Sequence, residues 1–175
     1  MAGEANVNAV VTVRLASVDD AERIGRIQVE TWRAAYTGLM PDETIASFDV
    51  ESRQRLWRAW FGQSWPGGVV FVAEHDGQVV GFANAGPSRE EASAGELYAI
   101  YVLPTSWGTG AGRALIQRTE DWLRSSGFRE ATLWVLEGNE RAERFYRAGG
   151  WEQDGRKVDQ FQGAPVSELR YRKRL

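Results

Sequence analysis

The residues best suited to chemistry lie between Ile100 and Leu115, in the run Ile-Tyr-Val-Leu-Pro-Thr-Ser-Trp-Gly-Thr-Gly-Ala-Gly-Arg-Ala-Leu. An apolar stretch gives way to the turn Gly108-Thr109-Gly110-Ala111-Gly112, and then to helical spacing. Glycines remove the Cβ atoms that would block an anion, so successive backbone N–H groups can point into one concavity. A helix that starts there adds its own unpaired N–H groups and its positive dipole end. Pyrophosphate is the natural ligand of such a place. A nucleotide P-loop would end in Gly-Lys-Ser or Gly-Lys-Thr, and neither is present. A dinucleotide fingerprint needs G-x-G-x-x-G and an acidic residue on the next strand, whereas the spacing here is G-x-G-x-G. A glycine-rich surface turn with no ligand is the plain alternative.

A second run, Glu137-Gly-Asn-Glu-Arg-Ala-Glu-Arg-Phe-Tyr-Arg-Ala-Gly-Gly-Trp151, follows the first. Taken together, in this order and spacing, the two runs resemble the GCN5-related N-acetyltransferase (GNAT) family, and the resemblance extends over about Val11 to Lys173. The shared pattern is a hydrophobic strand, a proline, a Gln/Arg-G-x-G-x-G/A turn, a helix, a strand, then Asn, Ala and Phe-Tyr before Gly-Trp. One departure stands out. Trp107 occupies the place where the family usually has Arg or Gln, so the resemblance implies phosphate binding by the backbone of the turn, with Trp107 stacking on part of the cofactor as the alternative to a basic side-chain contact.

The resemblance implies a fold, a cofactor and a site. The fold would be α/β: a mixed, centrally splayed β-sheet with helices on both faces. Acetyl-CoA would be the cofactor, its pantetheine arm lying along the main chain of Ile100, Tyr101 and Val102 like an added strand. An N–H there could face the thioester oxygen and stabilise the developing oxyanion. The turn from Trp107 through Gly108, Thr109, Gly110, Ala111 and Gly112, with Arg113, is expected to hold the pyrophosphate. Asn139 and Phe145 match positions that touch the cofactor, although Asn139 also reads as a helix cap and Phe145 as packing. Tyr146 matches the family's general acid, which would protonate the leaving thiolate, whose free thiol has a pKa near 8.5. Its plain alternative is a core aromatic.

The acceptor side is less defined. Glu96 opens the strand that leads to the acetyl site, where family members often place a glutamate that takes the amine's proton. Burial could raise its pKa into a useful range; an ion pair with a surface arginine is the alternative. Tyr98 is expected on the same side of the strand, lining the acceptor pocket or relaying the proton. Trp32 and Tyr36, at i and i+4, share a helix face and would wall the pocket or pack the helix on the sheet. The implied reaction is acetyl transfer to a primary amine of a small-molecule acceptor by direct attack in a ternary complex. The chain has no cysteine, which removes an acyl-cysteine route. A catalytically silent acetyl-CoA-binding sensor and a nicotinamide-dependent enzyme are the competing readings. His75, the one histidine, reads as a solvated turn residue, and no His/Asp/Glu cluster has metal-ligand spacing.

These residues need a scaffold, and the chain can build one. Its 175 residues, 43% hydrophobic and 26% charged, suit one soluble domain. A net charge of -3 argues against a general grip on nucleic acid. No apolar run reaches the length of a membrane span, and no signal peptide is expected. A cytoplasmic protein is expected, and a homodimer by family analogy. Residues 1–9 read as a flexible tail and 10–175 as a single acetyltransferase domain.

Periodicity gives the elements. Val11, Val13 and Leu15 alternate as a strand. Asp19 and Asp20 are expected to cap a helix to Tyr36 with Ile24, Ile27, Thr31 and Ala35 on its apolar side. A second helix spans Val50 to Phe61, burying Leu56, Trp57, Trp60 and Phe61. Val69–Glu74 and Gln78–Ala85 flank a hairpin turn at His75-Asp76-Gly77. Glu96–Val102 is a continuous apolar run and is expected at the centre of the sheet. A helix from Gly112 to Ser125, a strand from Ala131 to Leu136 and a helix capped by Asn139 follow. Two closing strands, 151–161 and 166–173, join through Gly163 and Pro165. The basic stretch from Arg170 to Arg174 reads as the solvated face of the last strand.

Overall fold

The computed structural model describes residues 10–63, 67–161 and 164–175. The expected tail at 1–9 and Gly163 of the last connection lie outside them. Seven strands form one sheet in the order β1-β2-β3-β4-β5-β7-β6, where β1 is Val11–Leu15, β2 Val69–His75, β3 Gln78–Pro87, β4 Gly95–Val102, β5 Glu130–Leu136, β6 Glu152–Phe161 and β7 Ala164–Arg174. The helices are α1 (Ala21–Tyr36), α2 (Asp42–Ala46), α3 (Val50–Phe61), α4 (Ala111–Ser125) and α5 (Glu140–Ala148). The sheet is mixed: β4 and β5 are parallel and the other neighbours antiparallel.

Strand β2 shows why the sheet is covered on both faces. Val69 through Ala73 are all buried. Val69, Phe71 and Ala73 pack with Leu115 and Leu123 of α4, while Val70 and Val72 pack with Ile24 and Ile27 of α1 and Trp57 of α3. A strand that is apolar on both sides reads as an unbroken hydrophobic run. Between β2 and β3, Asp76 and Gly77 have φ of 52° and 73°, so the turn takes two left-handed residues and matches the twist of its strands. His75 and Gln78 are paired across it, which places His75 at the end of β2 rather than in the turn.

The feature that makes a site possible is at the centre. β4 and β5 pair only at Gly95↔Ala131, Glu96↔Thr132 and Leu97↔Leu133. Beyond Leu97 the two strands part. At the same point β4 carries one extra residue against β3: Ala85 opposes Leu97 but Asn84 opposes Ala99, so Tyr98 is bulged. A bulge bends its strand and increases local twist, which turns β4 away from β5. It also resets the alternation. Leu97, Ile100 and Val102 pack towards α4, whereas Ala99 and Tyr101 pack towards α1 and α3.

The structure departs from the sequence reading in four places. Leu56 is 55% exposed, so α3 buries Trp57 with Trp60 and Phe61 only partly covered. The one-turn helix α2 was not anticipated, being too short to show a period. Asp20 does not cap α1 with its side chain. Its carboxylate instead turns back to accept the Ser17 N–H at 2.8 Å and the Arg14 guanidinium at 2.8 and 2.9 Å, tying β1 to the start of α1. The arginines of β7 are paired, not merely solvated: Arg170 and Arg172 both meet Asp154 of β6 and Glu91 of the loop after β3.

The Arg14 guanidinium, by hydrogen bonding, holds Asp20 below the usual carboxylate range. A carboxylate with a lowered folded pKa stabilises the fold above its unfolded value near 3.9, and that contribution is lost as pH falls through the folded value. The urea midpoint is expected to fall between about pH 5 and about pH 2. Asp20→Asn should be less stable at pH 7 and show a shallower decline in acid; an unchanged acid slope would remove this pair from the account.

Candidate functional site

The divergence of β4 and β5 opens a cleft of ≈ 540 Å³. One wall is β4 from Leu97 to Val102, the opposite wall is Trp134 and Val135 of β5, and α5 contributes Phe145 beside Gly112 and Tyr146 deeper in. The glycine turn forms the mouth. Gly108 and Gly110 have φ of 82° and 93°, a region in which a Cβ is strained, and Gly110 is the residue from which α4 starts. Among the described residues, chain neighbours apart, no atom lies within 4 Å of where a Cβ would stand at either position. The concavity is therefore open to a ligand. Gly112 is different, since a Cβ there would make an ordinary 3.5 Å contact with Phe145. Thr109 braces the turn by donating its hydroxyl to the Ser106 carbonyl at 2.8 Å. The first turn of α4 carries no acidic residue, and Arg113 lines the cleft.

The three strand positions expected to meet the cofactor are not equivalent. Leu103 donates its N–H to the Val80 carbonyl of β3. By the alternation of an antiparallel ladder, Tyr101 also directs its main chain to β3, while Ile100 and Val102 direct theirs to the gap. The Val102 carbonyl is taken: it accepts the Trp107 indole N–H at 2.8 Å and the Thr31 hydroxyl at 3.3 Å. What β4 offers the gap is thus the N–H groups of Ile100 and Val102 and the carbonyl of Ile100.

Trp107 is fixed by that same hydrogen bond, and its exposed ring face is covered by Arg141 of α5, whose guanidinium carbon lies 3.6 Å from the ring centroid. Arg141 therefore stacks on Trp107 at the mouth, and Trp107 itself lines the cleft. Asn139 does cap α5, accepting the Ala142 N–H at 3.2 Å, and it also lines the cleft.

Tyr146 is 7% exposed, and burial with Tyr101 nearby raises its hydroxyl well above the ordinary tyrosine value. It is a neutral O–H donor at any physiological pH. Burial likewise raises Tyr36 and Tyr101. Trp32 serves this group from behind: its indole N–H donates to the Tyr101 hydroxyl at 2.8 Å, its ring stacks on Phe48 with centroids 4.1 Å apart, and its edge meets Tyr36.

A second cavity of ≈ 280 Å³ lies on the other side of these tyrosines and shares Tyr36, Tyr98, Tyr101 and Trp134 with the first. Its rim carries Arg89, Lys157, Asp159 and Glu168. Glu96 lines neither cavity. It is 1% exposed, and its two oxygens accept the Arg89 backbone N–H at 3.0 Å, the Arg89 Nε at 3.0 Å and Arg89 Nη2. Tyr98 donates its hydroxyl to the Pro87 carbonyl, and the Arg89 guanidinium carbon lies 5.2 Å from its ring centroid. Sequence reasoning missed Trp134, Arg89, Arg141, Lys157 and Glu168. Four of these reach the site across strands or from a loop, so no local spacing marks them; Arg141, two residues after the Asn139 cap, was within reach of the motif.

Comparison with known proteins agrees with this geometry. The family model described as Acetyltransferase (GNAT) family matches residues 28–150. The uncharacterized N-acetyltransferase YuaI of Bacillus subtilis is 38% identical over 133 residues, covering 74% of each chain. An uncharacterized N-acetyltransferase of Archaeoglobus fulgidus is 31% identical over 138 residues, 77% of this chain and 88% of its own. Among solved structures, the PaiA N-acetyltransferase of Thermoplasma acidophilum in complex with coenzyme A has a TM-score of 0.69 at 22% identity, covering 95% of this chain and 99% of its own. YncA of Salmonella typhimurium, with its cofactor acetyl-CoA, has a TM-score of 0.71 at 23% identity, covering 95% and 94%. At those identities the structures speak for the fold.

The Glu96–Arg89 pair yields a prediction independent of any ligand. Arg89→Ala removes two side-chain hydrogen bonds from a buried carboxylate and should cost about 1–3 kcal/mol in urea unfolding. Arg89→Lys, which restores a charge but not the fork, should recover only part of that. A loss below about 0.5 kcal/mol would show that solvent compensates Glu96.

Proposed function

This chain belongs to the acetyltransferase (GNAT) family and is an N-acetyltransferase; from that premise we propose that it moves an acetyl group from acetyl-CoA to the primary amine of a small-molecule acceptor, by direct attack in a ternary complex. The observation that carries this reading is the single cleft that joins three things: a glycine turn with open left-handed positions, a strand edge with main-chain amides facing a gap, and a buried tyrosine deeper in. Bound acetyl-CoA would supply the acetyl group as a thioester, which an amine nitrogen attacks as the thiol leaves.

The residues divide the work. The N–H groups of the turn from Gly108 to Gly112, with the positive end of α4, hold the pyrophosphate. Arg113 and Arg141 add cationic charge at the mouth. Arg141, laid on Trp107, supplies the charge that the family usually places at position 107. The N–H of Val102, nearer the turn, and the C=O of Ile100 pair with the pantetheine amides, and the N–H of Ile100, further along the cleft, faces the thioester oxygen as an oxyanion donor. Phe145 packs against Gly112 beneath the mouth and Asn139 fixes the start of α5.

Tyr146 holds its proton against the leaving sulfur. Burial keeps that hydroxyl protonated, so it can donate a hydrogen bond that strengthens as charge develops on sulfur. Glu96 acts one step back, fixing Arg89 beside the acceptor cavity. Tyr36 and Tyr98 wall the passage between the two cavities, and Trp32 positions Tyr101. A silent acetyl-CoA sensor has no use for that passage, which favours the enzyme.

Two variants test the assignment. Gly110→Asp places a Cβ and a carboxylate in the phosphate cradle at a left-handed position, so CoA affinity by calorimetry should fall more than tenfold while the protein stays folded; unchanged affinity would refute the cradle. Tyr146→Phe should lower kcat on the order of a hundredfold with acetyl-CoA affinity nearly unchanged. A variant that turns over at full speed takes Tyr146 out of the mechanism.

A further inference from the structure

The second cavity has a charge pattern that the acetyl-transfer reading does not use. Its lining holds two cationic side chains, Arg89 and Lys157, and two anionic ones, Asp159 and Glu168. They are not scattered. Lys157 Nζ lies 4.1 Å from the centroid of the Trp134 ring, and Arg89 lies over Tyr98, so both cations sit on aromatic walls of the passage. Lys157 Nζ donates a long 3.4 Å hydrogen bond to the half-exposed Glu90 and lies 3.6 Å from both Glu168 and Asp159, so its charge is shared among three carboxylates with no short bond to any of them. Glu96 engages the Nε and Nη2 of Arg89, and the remaining face of that fork has donors to spare. Glu168 is the carboxylate whose charge bears on the hydroxyls of both Tyr36 and Tyr101, the residues at the passage.

We propose that this cavity takes an acceptor bearing both an amine and a carboxylate, an amino acid or a compound of that type, with the amine end at Glu168 and the carboxylate end on Arg89 and Lys157. The proposal rests on the acetyl-transfer reading of the first cavity and adds the acceptor's chemistry. A polyamine would meet two cations in the same space, and an acceptor with only negative charge would meet two carboxylates. A zwitterion complements both signs, and charge complementarity of this kind sets specificity. The aromatic walls accommodate the carbon skeleton and the ammonium face. Before attack the ammonium passes one proton to the Glu168 carboxylate, leaving the nitrogen lone pair beside the passage; Glu168 then returns that proton to solvent, and the proton that nitrogen loses as the C–S bond breaks ends on the departing sulfur.

The test measures equilibrium binding to the CoA-saturated protein through its tryptophan fluorescence, since Trp32 and Trp134 line the cavity. The ligands are sets that differ in one charge: β-alanine with ethylamine and propionate, γ-aminobutyrate with propylamine and butyrate, phenylalanine with phenethylamine and phenylpropionate. In at least one set the zwitterion should bind on the order of tenfold tighter than both counterparts. Lys157→Met should abolish the advantage over the bare amine, and Glu168→Gln the advantage over the bare acid and most of the acetylation rate, with CoA affinity retained as the check on folding. Bare amines that bind as well as zwitterions in every set, or a preference that survives both variants, overturns the proposal. Wild-type protein that binds no CoA overturns the acetyl-transfer reading and this proposal with it; CoA binding without any zwitterion preference overturns this proposal alone.

Discussion

The structure depends on a ladder that stops. Parallel strands normally satisfy every inward N–H and C=O against each other, and a buried main-chain amide without a partner costs about 1–3 kcal/mol. Here β4 and β5 keep that arrangement for three pairs and then abandon it. The bulge at Tyr98 is the local cause, because it bends β4 where the pairing ends. The N–H groups of Ile100 and Val102 are left facing a gap in which water or an amide-bearing molecule can pair with them. The protein limits the penalty with its own atoms where it can: the Val102 carbonyl takes both the Trp107 indole and the Thr31 hydroxyl. What stays open is an edge shaped for an amide-bearing ligand.

The same economy explains the mouth of the cleft. An anion site at a helix start needs concave N–H groups, positive charge and no competing carboxylate. Gly108 and Gly110 give the first, and a first turn of α4 without acid gives the last. Charge comes from an indirect source. With Trp107 at the usual basic position, the indole anchors the turn to β4, and its outer face becomes the platform on which Arg141 lies. A planar guanidinium suits such a platform, because it can stack on an aromatic face and keep its edge donors free.

Much of this was legible in the chain and some was not, for physical reasons. Long periodic elements read well: α3 was expected over Val50–Phe61 and spans those residues, and α4 begins one residue earlier than expected. The glycine turn and the Asn-to-Tyr run located the cleft because their information is local. The bulge at Tyr98 depends on which β3 residue stands opposite, which no single stretch of β4 encodes. The face of Leu56 and the pairing of Arg170 and Arg172 with Asp154 and Glu91 are likewise set by neighbours distant in sequence. The acceptor rim is the extreme case, since Arg89 comes from a loop and Lys157 and Glu168 from facing strands of a hairpin.

Glu96 stands where the sequence placed it, at the start of β4, but in surroundings the sequence did not show. Its place at the start of β4 made a base role reasonable, yet a base must reach the amine, directly or through water. Both of its oxygens are bound by Arg89, and neither cavity includes it. A buried carboxylate of this kind is costly unless fully paired, and pairing it fixes the partner as firmly as itself. Arg89, mostly exposed at its far end, is thereby held over Tyr98 at the rim instead of sweeping through solvent. The buried carboxylate thus fixes the direction of the Arg89 guanidinium at the second cavity, whose lining also carries Glu168.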